Sequence, residues 1–143
     1  MEPSIQIDQV KLEELIVRVK EGEGRDQALD CEIAISLQYV PDAMAKFSNV
    51  RAHPTSRYSM LYDSPIREGA TTFIPLLTSS LDAVEKLRAW GVANWIIDVL
   101  HVRNGEYIVR AASDTGATIQ ATARTEARAR LASVLQAFKQ PRD

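Results

Sequence analysis

One cysteine, two histidines and six glycines are all that the 143 residues hold of the types that most often build disulfides, metal centres and phosphate loops. Cys31 has no second cysteine to pair with, which excludes an internal disulfide. A zinc centre needs about four Cys, His or carboxylate ligands to converge, and Cys31, His53 and His101 stand at unrelated spacings. No Ser or Cys sits at a recognisable nucleophile elbow, and no Walker or dinucleotide glycine pattern occurs. The carboxylate pairs Glu13 with Glu14 and Asp63 with Glu68 read as surface charge. The chain is therefore expected not to be an enzyme and to need no metal or cofactor. No segment is apolar for long enough to span a bilayer, and the start, MEPSIQIDQVKLEEL, lacks a basic residue run followed by an apolar one. A cytoplasmic protein without membrane association is expected. A formal net charge of -2 gives no general attraction to nucleic acid.

What is present is enough for one domain over residues 1–143, since 45% of the chain is hydrophobic and 25% charged. The stretch from Trp95 to Ala123 organises it. Two β-rich runs flank Asn104-Gly105, a pair that tolerates the positive φ angles of a tight type I′ turn, and a third run follows Asp114-Thr115-Gly116. A two-residue turn there sets Arg103 opposite Glu106, Val102 opposite Tyr107, His101 opposite Ile108, Leu100 opposite Val109 and Val99 opposite Arg110. Strict alternation then puts Ile96, Leu100, Val102, Tyr107 and Val109 on one face, and Trp95, Ile97, Val99 and Ile108 on the other. With both faces apolar, the sheet is expected to be covered by helices on both sides, or by helices and a second copy of the chain, so a homo-oligomer is expected.

Helical spacing marks the covering elements. Leu12, Leu15, Ile16 and Val19 form one stripe from Asp8 to Lys20. Asp26 is placed to cap a second helix that buries Leu29, Ile33 and Leu37 and stops near Tyr39 or Val40 before Pro41. Ser79 and Asp82 have capping-box spacing ahead of a third helix that buries Leu81, Val84 and Leu87, with Trp90 as an anchor at the core rim. Thr125 is placed to cap the last helix. It buries Ala127, Leu131, Val134, Leu135 and Phe138, with Arg124, Arg128 and Arg130 turned mostly outward. The expected fold is α+β, an antiparallel meander covered by helices in the manner of an αβα sandwich.

Residues 41–77 contain Pro41, Pro54, Pro65 and Pro75 and have little periodicity, so they are expected to form a long irregular insertion with a weak helical turn at Ala43–Phe47 and a strand-like run at Thr71–Leu77. Long irregular connections often carry binding residues. The candidate ligand-binding residues are Arg57 and Tyr58 in this segment, with His101 and Arg110 as polar interruptions of the sheet and Asp98 expected on the face opposite them. A guanidinium and an aromatic ring suit a phosphate and a base, the two ends of a nucleotide.

Several stretches together resemble the phage ABA-sandwich domain family: Gly24-Arg25-Asp26-Gln27-Ala28-Leu29-Asp30, then Thr78-Ser79-Ser80-Leu81-Asp82-Ala83, a Trp-containing strand, and Ala123-Arg124-Thr125 before an Ala-rich helix. The family consists of small phage and prophage proteins, and the resemblance implies a sheet between helical layers with no chemistry to carry over. It further implies a phage-derived binding protein in a bacterial host cell. Sequestering a nucleotide signalling molecule to counter host defence is the expected role, and binding and inhibiting a host protein is the alternative.

Overall fold

Asp8 opens the first helix by accepting from the backbone N–H groups of Val10 and Lys11, which have no carbonyl behind them in the first turn. In the computed structural model, which describes residues 7–41 and 46–140, this helix is α1 (Gln9–Glu21), and it buries the expected stripe of Leu12, Leu15, Ile16 and Val19. The second helix, α2 (Gln27–Leu37), is capped by the Asp26 carboxylate on the Leu29 N–H and buries Leu29, Ile33 and Leu37. It ends earlier than expected. Gln38 adopts the left-handed conformation at φ 53, and its N–H returns to the Ala34 and Ile35 carbonyls.

The same glutamine starts the next layer. Its side-chain amide accepts from the Val50 N–H at 2.8 Å and donates to the Val50 carbonyl at 3.0 Å, so it stands in for a neighbouring strand. Val50 lies in β1 (Ser48–Ala52), which pairs antiparallel with β2 (Ser59–Ser64), and β2 pairs with β3 (Arg67–Phe73) in the order β1-β2-β3. The expectation of an irregular insertion over 41–77 is thus corrected: about half of that segment forms the strands of a three-stranded sheet. Its prolines punctuate the sheet. Pro54 falls between β1 and β2, Pro65 in the turn between β2 and β3, and Pro75 just beyond β3, where no ladder N–H is needed. The strand-like run expected at Thr71–Leu77 ends at Phe73. The helical turn expected at Ala43–Phe47 lies mostly outside the described residues, and Lys46 and Phe47 are not helical.

The third helix, α3 (Leu81–Gly91), is capped by Ser80, whose hydroxyl accepts from the Ala83 N–H at 3.2 Å, and not by the expected pair of Ser79 and Asp82. One position of shift leaves Leu81 half exposed, while Val84 and Leu87 are buried as expected. The second sheet follows as β4 (Trp95–Arg103), β5 (Glu106–Ser113) and β6 (Thr118–Ala123), in the order β4-β5-β6. All five pairs expected around Asn104-Gly105 are observed, with φ values of 52 and 76 at the two turn residues. Thr125 caps α4 (Glu126–Lys139), which buries Leu131 and Leu135 completely and also Val134 and Phe138. Each such large apolar side chain contributes roughly 1.5–3 kcal/mol by leaving water.

The α+β fold therefore stands, with helices laid on an antiparallel meander. Helix α4 rests on β4–β6 and is flanked by α1 and α3. Helix α2 has a side in each of two apolar cores: Leu29, Ile33 and Leu37 meet the main core, while Ala34, Cys31 and Ile35 meet Val50, Met60 and Ile74. Helix α2 thus packs on β1 of the first sheet, while α1 and α4 pack on the second. At the margin Trp90 packs 4.8 Å from Tyr39 and 6.4 Å from both Phe47 and Phe138, which is the rim anchor expected of it. A Lys139–Glu13 ion pair joins α4 to α1.

A bulge decides what the outer face of the meander looks like. Asp98 and Val99 together stand opposite Arg110, so the strict alternation used to assign faces fails between Ile97 and Val99. Trp95 and Ile97 share the helix-facing side with Val109 and Ala111, and Ile96 turns outward, 62% exposed. The expected pair of apolar faces is corrected accordingly: the outer face carries Asp98, His101, Arg103, Glu106, Arg110 and Gln120 around Ile108. The side chain of Val99 lies outside the described residues.

Candidate functional site

The four expected ligand residues fall in two separate places. Arg57 and Tyr58 lie in the connection leading into β2, and the Arg57 guanidinium sits over the Tyr58 ring at 5.5 Å from its centroid. His101 and Arg110 lie on β4 and β5, on the outer face of the other sheet. Among the described residues, no hydrogen bond, ion pair or ring contact joins the two pairs. Arg110 is instead satisfied by Asp98, with Nε and an Nη each 3.1 Å from a carboxylate oxygen. Asp98 was expected on the opposite face, and the bulge brings it round. The hydrogen bond from Arg110 holds the Asp98 carboxyl below its ordinary pKa, and Asp98 in turn raises that of Arg110.

Arg57 borders a cleft of about 410 Å³ between α2 and the β1–β2 connection. Its floor is apolar, made by Ala28, Cys31 and Ile35 from one face of α2, and by Ala52 and Ile74 from the other side. Polar groups stand around it: Gln27, Glu32, His53, Ser56, Arg57 and Ser59. The His53 ring is fixed by its own turn, because Nδ1 accepts the N–H groups of Thr55 at 3.1 Å and Ser56 at 2.9 Å. With Nδ1 so used, the neutral ring carries its proton on Nε2 and has a donor left over. Tyr58 is positioned from both sides: Ser56 Oγ accepts its N–H, and its carbonyl accepts from Ile74 at 3.1 Å.

The charges of the cleft are unevenly compensated. Burial raises the pKa of Glu32, but hydrogen bonds from Arg18 and Lys11 outweigh it, so the net shift is downward and the group stays an engaged carboxylate. Burial pushes the Cys31 thiol up, with Glu32 and Asp30 adding to the effect, so it is held as a thiol and is poorly suited to nucleophilic work. Arg57 has no carboxylate partner among the described residues. The arrangement is suited to holding a molecule with a flat apolar body and an anionic end, and it offers no activated nucleophile.

Sequence reasoning singled out Arg57 and Tyr58 and missed the α2 wall and His53. The periodicity of Ala28, Cys31 and Ile35 was a usable signal, since these residues lie on a second helix face beside Leu29, Ile33 and Leu37. No group of His, Cys, Asp and Glu able to hold a metal ion occurs among the described residues, and none of their helices is long and apolar enough to cross a membrane. Comparisons with protein-family models, curated proteins and solved structures give no match.

Proposed function

We propose that the chain is a non-catalytic binding protein that takes a small nucleotide into the cleft between α2 and the β1–β2 connection. The observation that carries this reading is a guanidinium, Arg57, that has no carboxylate partner among the described residues and stands at the mouth of an apolar-floored cleft of about 410 Å³, a volume in the range of small-molecule sites. A base lies against Ile35, Ile74 and Cys31, while a phosphate pairs with Arg57 and accepts from His53 Nε2. Together with the resemblance to a phage family, this supports a role in sequestering a nucleotide signal of a bacterial host against its defences. Sequestration needs burial and pre-organisation, and no reactive group.

Thermal shift with a panel of cyclic nucleotides and ADP-ribose derivatives tests the reading, because a ligand bound only by the folded state raises stability by about 2.7 kcal/mol at a hundred times its dissociation constant. One member of the panel is expected to stabilise the protein and to be recovered chemically unchanged. Arg57→Ala is expected to remove the shift and Tyr58→Ala to weaken it. Arg110→Ala and His101→Ala are expected to leave it intact, since both lie on the other sheet. Absence of any shift across the panel contradicts the proposal, and conversion of the ligand contradicts its non-catalytic part.

A second reading has one observation in its favour. Ile96, Leu100 and Val102 are 62%, 37% and 63% exposed on β4, an edge strand with unpaired backbone groups, which is the kind of surface a protein partner or a second copy adds a strand to. Concentration-dependent mass in solution, or a single stoichiometric partner recovered with the protein in place of a nucleotide, favours that reading.

A further inference from the structure

Asp30 is the one buried carboxylate of α2, with no exposed surface, and it faces away from the cleft toward the chain that leads into α3. Its Oδ1 accepts the Thr78 N–H at 2.8 Å, across 48 positions of sequence. The Thr78 hydroxyl accepts the N–H of Asp26, the α2 cap, at 2.8 Å. Two long-range bonds therefore clamp the first turn of α2 to Thr78, just ahead of Ser80 and α3. The clamp is incomplete: among the described residues no donor reaches Asp30 Oδ2. A buried polar atom left unpaired costs on the order of 1–3 kcal/mol, and more when it carries charge. A carboxylate in this position is under pressure either to take up a proton or to find water.

We propose that Asp30 and Thr78 form a proton-operated latch, closed when Asp30 is the neutral acid and loosened when it ionises, which sets how firmly α2 is held to the segment before α3. The charged groups acting on Asp30 are Asp26 and Arg25, the cap of α2 and the residue before it, and Thr78 faces it with uncharged donors. The cations of α1 that reach α2, Lys11 and Arg18, are engaged by Glu32. His53 and Arg57 border the cleft on another side of the helix. Burial pushes the Asp30 carboxyl from its ordinary 3.8 up to about 6, against the lowering effect of the Thr78 bonds; Asp26 adds to the rise and Arg25 opposes it.

The sign follows from linkage. A folded-state pKa above the unfolded one means that the folded chain holds the proton more tightly, so this share of stability is full below about 4 and is lost as the pH rises through about 6. The latch operates whether or not the cleft is filled. Gln27 and Ala28, which line the cleft, lie within the clamped turn.

Amide hydrogen exchange of the full chain at pH 5 and pH 7.5, corrected for the intrinsic dependence of exchange on pH, reads the latch directly at the Thr78 amide. Opening is expected to be about tenfold more frequent at pH 7.5, because between the two pH values the closed carboxyl ionises while the opened one is ionised throughout. Asp30→Asn keeps an acceptor for Thr78 without the charge, and its opening is expected to be the same at both pH values. The carbon resonance of the Asp30 carboxyl gives a second reading on the unaltered protein, with a midpoint near 6 expected. Equal opening of the unaltered protein at the two pH values, or a carboxyl midpoint near 4, overturns the proposal.

Discussion

Arg128 shows how far a single side chain can be from its apparent role. On helical spacing it belongs with Arg124 and Arg130 on a solvated face, yet it is 2% exposed and donates to three carbonyls, those of Arg18 and Val19 in the last turn of α1 and that of Gly24 just beyond. Carbonyls at a helix C-terminus lack partners within the helix and carry partial negative charge, so a buried guanidinium is stabilised there without a carboxylate. Gly22 makes the approach possible, because a Cβ built on it would overlap the guanidinium. Arg128→Met is expected to lower stability by about 2–4 kcal/mol, from lost charged hydrogen bonds and stranded carbonyls. Gly22→Ala is expected to destabilise through the same contact, and the double variant to cost less than the sum of the two. Denaturant unfolding of the four proteins checks this, and strict additivity contradicts the shared contact. None of it was legible beforehand, since the partners lie 104 to 110 positions away and are backbone atoms with no sequence signature.

The meander was legible where local chemistry dictates it and illegible where a distant partner does. Asn104-Gly105 determines its turn by backbone sterics alone, and the register of the hairpin follows from it. The bulge at Asp98 is stabilised by Arg110 on the adjacent strand, and alternation along β4 carries no mark of it. Deleting Asp98 removes the extra residue and leaves Val99 alone opposite Arg110, so the pairing of Trp95 with Ser113 and of Ile97 with Ala111 is kept and both side chains are expected to stay on the helix-facing side. Unshifted tryptophan emission and a largely retained melting temperature are the expected readouts, and a red shift contradicts this assignment of the bulge. Substituting Asp98 by Asn, which keeps the residue count, is expected to leave both near the unaltered protein, because the ion pair is exposed. The β1–β3 sheet was missed for a different reason. Its strands mix polar and apolar residues, and prolines in its connections read as disorder in the elements they separate.

Across the whole molecule the two antiparallel sheets pack on different helices, α2 on β1 and α1 and α4 on β4–β6, and they present different chemistry. The outer face of β4–β6 is polar and carries the exposed ion pair of Asp98 with Arg110, whereas the sheet of β1–β3 shares with α2 an apolar cleft whose guanidinium, Arg57, has no carboxylate partner among the described residues. Arg57 and Tyr58 were visible in the sequence as an Arg and aromatic pair; that His101 and Arg110 lie elsewhere follows from two separate sheets, which no local pattern encodes. The central claim is that α2 and the β1–β2 connection together hold a nucleotide. Amide chemical shifts of the folded protein, followed during titration with the nucleotide that stabilises it most, test this directly. Perturbations are expected to concentrate at residues 27–35 and 52–59 and at Ile74, and to be lost on Arg57→Ala. Perturbations centred on His101 and Arg110, or none at any concentration, would contradict that claim.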